Sequence, residues 1–531
     1  MEENKYIGEI IDFDFKGLGM TKVDGLPVFL DGGVIGDQVE FLITKKKKNF
    51  CKGKILNIIK KSKDRVNSPC PYFKDCGGCD FLNLSDEMEL KWKEEDVNKN
   101  LEKIAGLDIK VDEVLDSPEK NHYRNNMQFQ VRDGVIGLYG KNSKDIVAIK
   151  NCLMQRDKAN EVLQIMWRYK KLKDLKRIGI RTNYKGEVLL ILVTRDGEVE
   201  IKDVLPDLIG AGVKSIYLNY NSGDKFHYSR EFEKIYGEDF IEEKLLDINY
   251  KISPESFFQI NRLATEKLYK KAIEFLDPRA EDKIYDLYCG VGSISLSVAK
   301  RGAQVIGIEI VDRAVDDARI NAENNNIQAR FVKGAAEEVI EKLWEEEKIS
   351  PNKIIVDPPR KGLDEKLVDF LKENPVERLV YISCNPATQA RDLKSLKGVY
   401  RVEKVALVNL FPNTAHAETV ALLSKLNTEH HLDIEIGEDE LSEIDFSKDA
   451  TYGEIKKFVL DKYGLKVSSL YIAQVKRKHG LIERENYNIS KKENQRVPNC
   501  PEEKEKAIED ALEYFGMIKK ISKIENFKIK T

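Results

Sequence analysis

"YDLYCGVGSISLSVA", residues Tyr285 to Ala299, decides how the larger part of this chain folds. An apolar run ends in a turn carrying Gly290 and Gly292, and a small-residue segment of helical character follows. A strand that turns on glycines into a helix opens a doubly wound sheet, in which ligands lie at the carboxyl ends of the strands. The third glycine of the dinucleotide fingerprint is absent. "IGIEI" then closes a second strand with Glu309, 23 positions after Asp286, where an acid can accept from both hydroxyls of a ribose. An adenosine without a pyrophosphate fits such a turn better than a dinucleotide does, and S-adenosylmethionine is such a ligand.

From Asp282 onward, strands alternate with helices: "KIYDLY", "AQVIGIEI", "ARFVKG", "KIIVDPP", "RLVYISC", "YRVEKVALVNLF" and "ETVALLSK". The pattern predicts a Rossmann-like sheet over residues 251–427, with an antiparallel tail. "IIVDPPRKGL" ends the fourth strand; its two prolines stiffen the loop and leave Asp357 as an acceptor at the rim of the pocket. Arg360 stands where enzymes that methylate amino groups carry an aromatic, which argues against adenine-N6 chemistry. "LVYISCNPATQARDL" places Cys384 at the carboxyl end of the fifth strand, and "FPNTAHAETVALL" places Glu418 at the start of another, two residues after His416.

Taken alone, Cys384 reads as a small buried hydrophobe and Glu418 as a surface acid. Beside a glycine turn and an Asp-Pro-Pro loop, the two have complementary roles. Uracil C5 takes a methyl group only after a thiolate adds at C6 and makes C5 electron-rich, and a base must then remove the C5 proton. Cys384 suits the first task and Glu418 the second.

The whole chain has 531 residues, enough for roughly three or four domains. Its 88 basic and 91 acidic residues leave a formal net charge of −3, so global charge does not announce a nucleic-acid partner. The distribution is uneven. Ten Lys or Arg fall between Lys45 and Arg65 with only Asp64 against them, whereas His431 to Asp445 is acidic. Residues 1–60 alternate between short apolar runs and glycine turns, which predicts a small barrel of oligonucleotide-binding type with the lysine run on its last two strands. Such a patch serves contact with a phosphate backbone, or simply discourages edge-to-edge pairing of the sheet. Residues 61–250 read as an α+β middle region with a cysteine-bearing loop, a helix from Ser85 to Ala105, and hairpins at Asp133-Gly134 and Lys185-Gly186. An acidic linker at 428–450 precedes a helical extension at 451–531. There, apolar spacing at Ile455, Phe458 and Val459, and at Val467, Leu470, Tyr471 and Val475, fits two helices: a helix-turn-helix or a plain packing module.

Eight cysteines do not form a disulfide framework over this length. Cys70, Cys76 and Cys79 cluster in "CPYFKDCGGCDFL", and Cys152 follows 73 positions after Cys79. Four thiolates can hold zinc or a [4Fe–4S] cluster, and the spacing leaves both open. Cys51 and Cys289 read as packing residues. The amino terminus lacks a signal-peptide core and no apolar run of 18 residues occurs, so a cytoplasmic protein without a membrane anchor is expected.

"DLYCGVG", "VDPPRKGL", "YISCNPATQARDL" and "FPNTAHAE" resemble the motif series of the RNA 5-methyluridine methyltransferase family. The likeness runs from residue 1 to about residue 426, its amino-terminal barrel resembling a TRAM domain. The resemblance implies Cys384 as nucleophile and Glu418 as proton acceptor. It also implies cofactor contacts from Gln259 (in "PESFFQIN"), Tyr288, Glu309 and Asp357, and a [4Fe–4S] cluster on Cys70, Cys76, Cys79 and Cys152. Ala335 departs from the polar residue usual after the third strand, which puts an adenine contact there in doubt.

A base inside a duplex is closed to attack at C6, so the target is single-stranded or flipped out. Family members with both barrel and cluster usually act on large-subunit ribosomal RNA, which makes 23S ribosomal RNA the expected partner. No obligate protein partner is evident. Rival readings are a transfer-RNA enzyme, a cytosine-C5 enzyme (for which a Pro-Cys or Thr-Cys motif is missing), and a non-catalytic RNA-binding protein. Arg124, in "NHYRNNMQFQV", is a candidate phosphate contact or a structural arginine.

Overall fold

Residues 5–195, 199–223, 227–229, 231–345, 348, 350–426, 452–479, 481, 500–515 and 517–518 are described by a computed structural model. The acidic stretch from His431 to Asp445 lies outside them. The chain divides into two compact units, Met1–Asn427 and Thr428–Thr531.

The glycine-turn strand sits near the middle of an eight-stranded sheet. In spatial order the strands are Arg330–Lys333, Gln304–Glu309, Lys283–Leu287, Lys353–Val356, Arg378–Ser383, Glu418–Lys425, Tyr400–Val408 and Glu113–Leu115. The first five run parallel, and Glu418–Lys425 is antiparallel to both its neighbours. Chain order reverses between Lys283–Leu287 and Lys353–Val356, which opens a crevice at the carboxyl ends of these strands. The interior strands are apolar on both faces because helices cover both. Ile284 and Ile355 pack with the helices Arg262–Leu276, Ser293–Ala299 and Asp312–Asn324. Tyr285, Leu287, Ile354 and Val356 pack on the opposite side with Ala336–Glu345, Glu365–Glu373 and Pro386–Leu396.

Helix Asp86–Asn100 starts as the sequence indicates, with Ser85 Oγ accepting from the Met88 amide at 3.3 Å. It passes into a π turn, Leu101–Ala105, whose Leu101 and Ala105 are buried in the core of the eight-stranded sheet. Glu113–Leu115 then joins that sheet as an edge strand, parallel to Tyr400–Val408. A three-residue strand has no periodicity to announce it, and the sequence pattern alone assigns the segment to the middle region.

The middle region forms a seven-stranded sheet of Ile146–Ala148, Val135–Tyr139, Asn126–Arg132, Leu175–Thr182, Val188–Thr194, Val213–Tyr220 and Phe232–Gly237. The Asp133-Gly134 hairpin has both residues at positive φ, 52° and 79°, as a two-residue turn between right-twisted strands requires. One face packs on helix Asp157–Met166; Leu189, Ile191 and Val193, on the other, enter the core of the eight-stranded sheet.

Residues 5–60 make a six-stranded sheet that runs Lys5–Glu9, Gln38–Lys46, Cys51–Lys60, Leu26–Leu30, Gly19–Val23, Asp12–Phe13. The Ile11 amide donates to the Met20 carbonyl at 2.8 Å, bringing the first strand back toward the third. Lys45 to Lys48, Lys52, Lys54, Lys60, Lys61 and Lys63 are all exposed, whereas Arg65 is tied to the buried Asp37.

In the second unit, helices Tyr452–Tyr463, Ser469–Lys478 and Glu502–Tyr514 bury Ile455, Val459, Ile472, Val475, Ile508 and Leu512 together. Among the described residues no helix is long and apolar enough to cross a membrane.

Candidate active site at the strand ends

Tyr288, Gly290 and Gly292 all adopt positive φ (67°, 56° and 79°), so the chain leaves its strand through a left-handed turn. At Gly292 a side chain would strike the Phe331 ring at 2.9 Å; at Gly290 a Cβ would meet nothing within 4 Å, which leaves open space against the backbone. Beneath the turn, Asp286 is buried, with Oδ2 accepting from Ser295 Oγ at 2.5 Å and Oδ1 without a hydrogen-bond partner. Burial pushes its carboxyl up to about 7, although the Ser295 bond opposes this. Glu309, last in the neighbouring strand, accepts from the amides of Gly290 (3.0 Å) and Val311 (2.8 Å). Both its oxygens thus hold backbone amides, which pins it against the turn.

Cross-strand register assembles the rest. Leu287 pairs with Val356, and Val356 pairs with Tyr381, so Tyr288, Asp357 and Ile382 are the next step along three adjacent strands. Ser383 pairs antiparallel with Thr419, which makes Cys384 and Glu418 the next rung of that ladder. Thr419 Oγ1 donates to the Ser383 carbonyl (3.2 Å) and to Gln389 Oε1 (2.8 Å), and Gln389 Nε2 donates to the Tyr381 carbonyl (2.9 Å). These bonds lock the two strand ends together. Asn385 caps helix Pro386–Leu396 and donates to the Arg360 carbonyl at 3.1 Å, tying the thiol loop to the Asp-Pro-Pro-Arg loop.

Electrostatics at this point are coupled. Glu418 is 5% exposed, and desolvation with the nearby Asp357 holds its carboxyl well above the ordinary range. Burial and the adjacent Glu418 push the Cys384 thiol up to about 11. Asp357 is raised to about 7 by desolvation. Arg360 is the cation facing this group: it lowers both Cys384 and Glu418, and its Nη2 lies 3.2 Å from His416 Nε2. From the sequence, Arg360 stands out only as a missing aromatic; the signal for its role is its place directly after the two prolines.

Gln259 lies in the half-buried segment after strand Ile248–Ile252, whose course is set by side chains from elsewhere. Asn125 donates to the Gln259 carbonyl (3.0 Å), Arg181 donates to the carbonyls of Ser253 (3.1 Å) and Ser256 (2.8 Å), and Asn261 caps the following helix.

Cys70, Cys76, Cys79 and Cys152 line one cavity of about 390 Å³, together with Phe73, Arg124, Met127 and Met154. Burial raises the thiols of Cys76, Cys79 and Cys152. Among the described residues no three or more His, Cys, Asp or Glu side chains are grouped tightly enough to hold a single metal ion. Arg124 lines this cavity, its buried Nε lacking a hydrogen-bond partner.

The family model described as tRNA (Uracil-5-)-methyltransferase matches residues 85–426. An uncharacterized RNA methyltransferase of Staphylococcus aureus (strain MSSA476) is 37% identical over 448 residues, 78% of this chain and 97% of that protein. Another, from Clostridium tetani, is 35% identical over 432 residues, 77% of this chain and 94% of its own. Among solved structures, the tRNA (uracil-54, C5)-methyltransferase of Pyrococcus abyssi in complex with S-adenosyl-L-homocysteine superposes with a TM-score of 0.65 at 28% identity. The match covers 79% of this chain and 100% of that one.

Proposed function

Because the chain belongs to the tRNA (uracil-5-)-methyltransferase family, and is thus an S-adenosylmethionine-dependent RNA methyltransferase, we propose that it methylates uridine C5 through a transient bond from Cys384. The observation that carries this reading is the ladder end that sets Cys384 against Glu418, beside Asp357 and Arg360.

In this reading the Cys384 thiolate forms a bond to uracil C6, and the electrons of the C5–C6 double bond pass toward the O4 carbonyl as an enolate. When bound, S-adenosylmethionine would supply its sulfonium methyl group to C5, the methyl–sulfur bond breaking to leave S-adenosyl-L-homocysteine. Glu418 then takes the C5 proton, the electrons return to C5–C6, and the Cys384 bond to C6 breaks. Arg360 offsets the negative charge that the thiol and carboxyl share. The chemistry present fits the cofactor, since Gly290 leaves an open face on the turn and Asp286 keeps an unpartnered Oδ1 beneath it; in this reading Gln259, Tyr288, Glu309 and Asp357 would hold it.

The four thiols are read as ligands of a [4Fe–4S] cluster. A zinc ion would need its sulfurs about 2.3 Å from one point. Thiols that surround a space suit a cluster, which takes one thiolate per iron. The strand-rich residues 1–60 are read as a TRAM-like barrel whose lysines hold an RNA backbone.

The substrate proposed is 23S ribosomal RNA, on the combined presence of barrel and thiols, in the cytoplasm. Transfer RNA is the second reading, favoured by the Pyrococcus abyssi protein, which is a tRNA (uracil-54, C5)-methyltransferase. Mapping of 5-methyluridine in ribosomal and transfer RNA from cells with and without this chain tests both. A 5-methyluridine missing from 23S RNA alone supports the first, one missing from tRNA alone replaces it with the second, and no loss from either removes the uridine-C5 reading.

A further inference from the structure

The thiol-bearing loop is bonded directly to the segment that delivers Glu418. The amides of Asp80 and Phe81, just after Cys79, both donate to the Asn413 carbonyl, at 2.9 and 3.1 Å. Asp80 Oδ2 in turn accepts from the Ala415 amide at 2.9 Å. Three bonds therefore join residues 80–81 to residues 413–415, three to five positions before Glu418.

The clamped segment is a strained turn. Asn413 has φ of 63°, a left-handed conformation that costs energy outside glycine and persists only where surroundings over-determine it. Its amide donates to both oxygens of the buried Glu89 at 3.0 Å, and its side chain donates to the Lys120 carbonyl at 2.8 Å. Tyr123 Oη donates to the Pro412 carbonyl at 3.0 Å. Thr414 Oγ1 donates to the Phe411 carbonyl (2.8 Å) and accepts from the His416 amide (3.3 Å). Nearest Glu418, the Asp80 carboxylate fixes the backbone at Ala415, while the next residue, His416, is met at its side chain by Arg360.

We propose that Asp80 is a positioning residue for Glu418: by gripping Ala415 it sets where the carboxyl stands relative to the base bound at Cys384. The inference rests on the reading of Glu418 as the group that takes the C5 proton. It makes the cysteine loop and the base-delivering loop one mechanical unit, so the thiol site acts on release of product and leaves attack by Cys384 alone.

The experiment separates those two steps with the full chain, purified with its thiol site as it forms in cells. RNA that wild type methylates is made in two forms, with uridine and with 5-fluorouridine. Fluorine at C5 cannot leave as a proton does, so the fluorinated RNA reports adduct formation whatever Glu418 does. Asp80→Ala should form the fluorinated adduct within about threefold of wild type, yet lose about a hundredfold in turnover on ordinary RNA, the cost expected of a reacting group displaced by about 1 Å. Covalent complex should then accumulate on denaturing gels. Asp80→Asn, which keeps an oxygen to accept from Ala415, should restore turnover. Asp80→Ser, whose side chain is too short to grip the Ala415 amide in the same way but stays polar, should give the same split if Asp80→Ala does not fold. Wild-type turnover in whichever of these two variants folds overturns the proposal, as does equal slowing of adduct formation and turnover. Glu418→Gln is the control: if it traps no adduct, the reading of Glu418 fails, whereas adduct in Glu418→Gln and none in Asp80→Ala sinks only the role of Asp80.

Discussion

Arg360 Nη2 lies 3.2 Å from His416 Nε2, joining the loop after one strand to the loop before another. Burial, together with Arg360 itself, pushes His416 down to about 4, so its imidazole is neutral at pH 7 and accepts from the guanidinium. The bond holds the positive charge of Arg360 beside Cys384 and Glu418, where it is needed if the thiol is to ionise.

That arrangement sets a pH dependence. With the Cys384 thiol near 11, the thiolate is a minor species at neutral pH, and its fraction grows tenfold per pH unit below that value. Single-turnover methylation should therefore rise with pH, by about tenfold per unit between about 7 and 9. Arg360→Met removes the side chain that lowers the thiol, so its rate should be lower at every pH with the rise displaced upward. A profile flat in wild type would contradict the assignment.

Cys384→Ala should abolish methylation and adduct formation while RNA and S-adenosylmethionine still bind, because the thiol lies at a strand end and supports no core. Glu418→Gln should form a covalent RNA complex that denaturing gels detect and that turns over at least about a hundredfold more slowly than wild type. Rapid turnover without adduct would take Glu418 out of the chemistry.

Asp286 and Asp357 both have carboxyls raised to about 7, above the ordinary 3.8. The folded state thus binds protons more tightly than the unfolded one. The contribution of these two carboxyls to the stability of the cofactor-free protein should fall as pH rises from about 4 through 7, being fully present only below the unfolded value, and the double variant Asp286→Asn/Asp357→Asn should lose that slope. A cation in the crevice reverses the preference. Thermal-shift titration should show the increment from S-adenosylmethionine, which carries a sulfonium, growing between about pH 5.5 and about 8. Asp357→Asn should flatten that growth.

Replacing Lys45 to Lys48 by alanine should weaken RNA binding evenly across sequences. If each lysine meets one phosphate, the slope of log K against log salt should become shallower by about 0.7 for every phosphate of single-stranded RNA that is no longer neutralised. An unchanged slope would return these lysines to the role of a solvated strand edge.

Lys353 Nζ is buried with Asp282 at 2.7 Å and also donates to the Asp277 carbonyl at 2.6 Å. Lys353→Met should destabilise by about 3 kcal/mol in denaturant unfolding, because it strands a buried carboxylate. Restoration by a second change, Asp282→Asn, would identify the stranded charge as the cause.

Much of the molecule is legible without coordinates because its signals are local. The Gly290 and Gly292 turn, the strand–helix alternation after Asp282, the Ser85 cap, the Asp133-Gly134 hairpin and the helices after residue 451 each depend on neighbours a few positions away. Cys384, Glu418, Asp357 and Glu309 could be singled out for the same reason, since each closes or opens a strand whose periodicity is visible. The edge strand Glu113–Leu115 could not, being too short to show a period.

What the tertiary structure alone decided is non-local. The antiparallel rung that brings Cys384 to Glu418 spans 34 positions of chain, and the turn before Glu418 is gripped by Asp80, more than 330 positions away. Arg360 comes to bear on both the thiol and the carboxyl only when the loops of residues 360 and 416 meet. Strand periodicity is written residue by residue, whereas register, burial and the electric environment of a side chain arise only when distant segments exclude water from one another, and no spacing along the chain encodes that meeting.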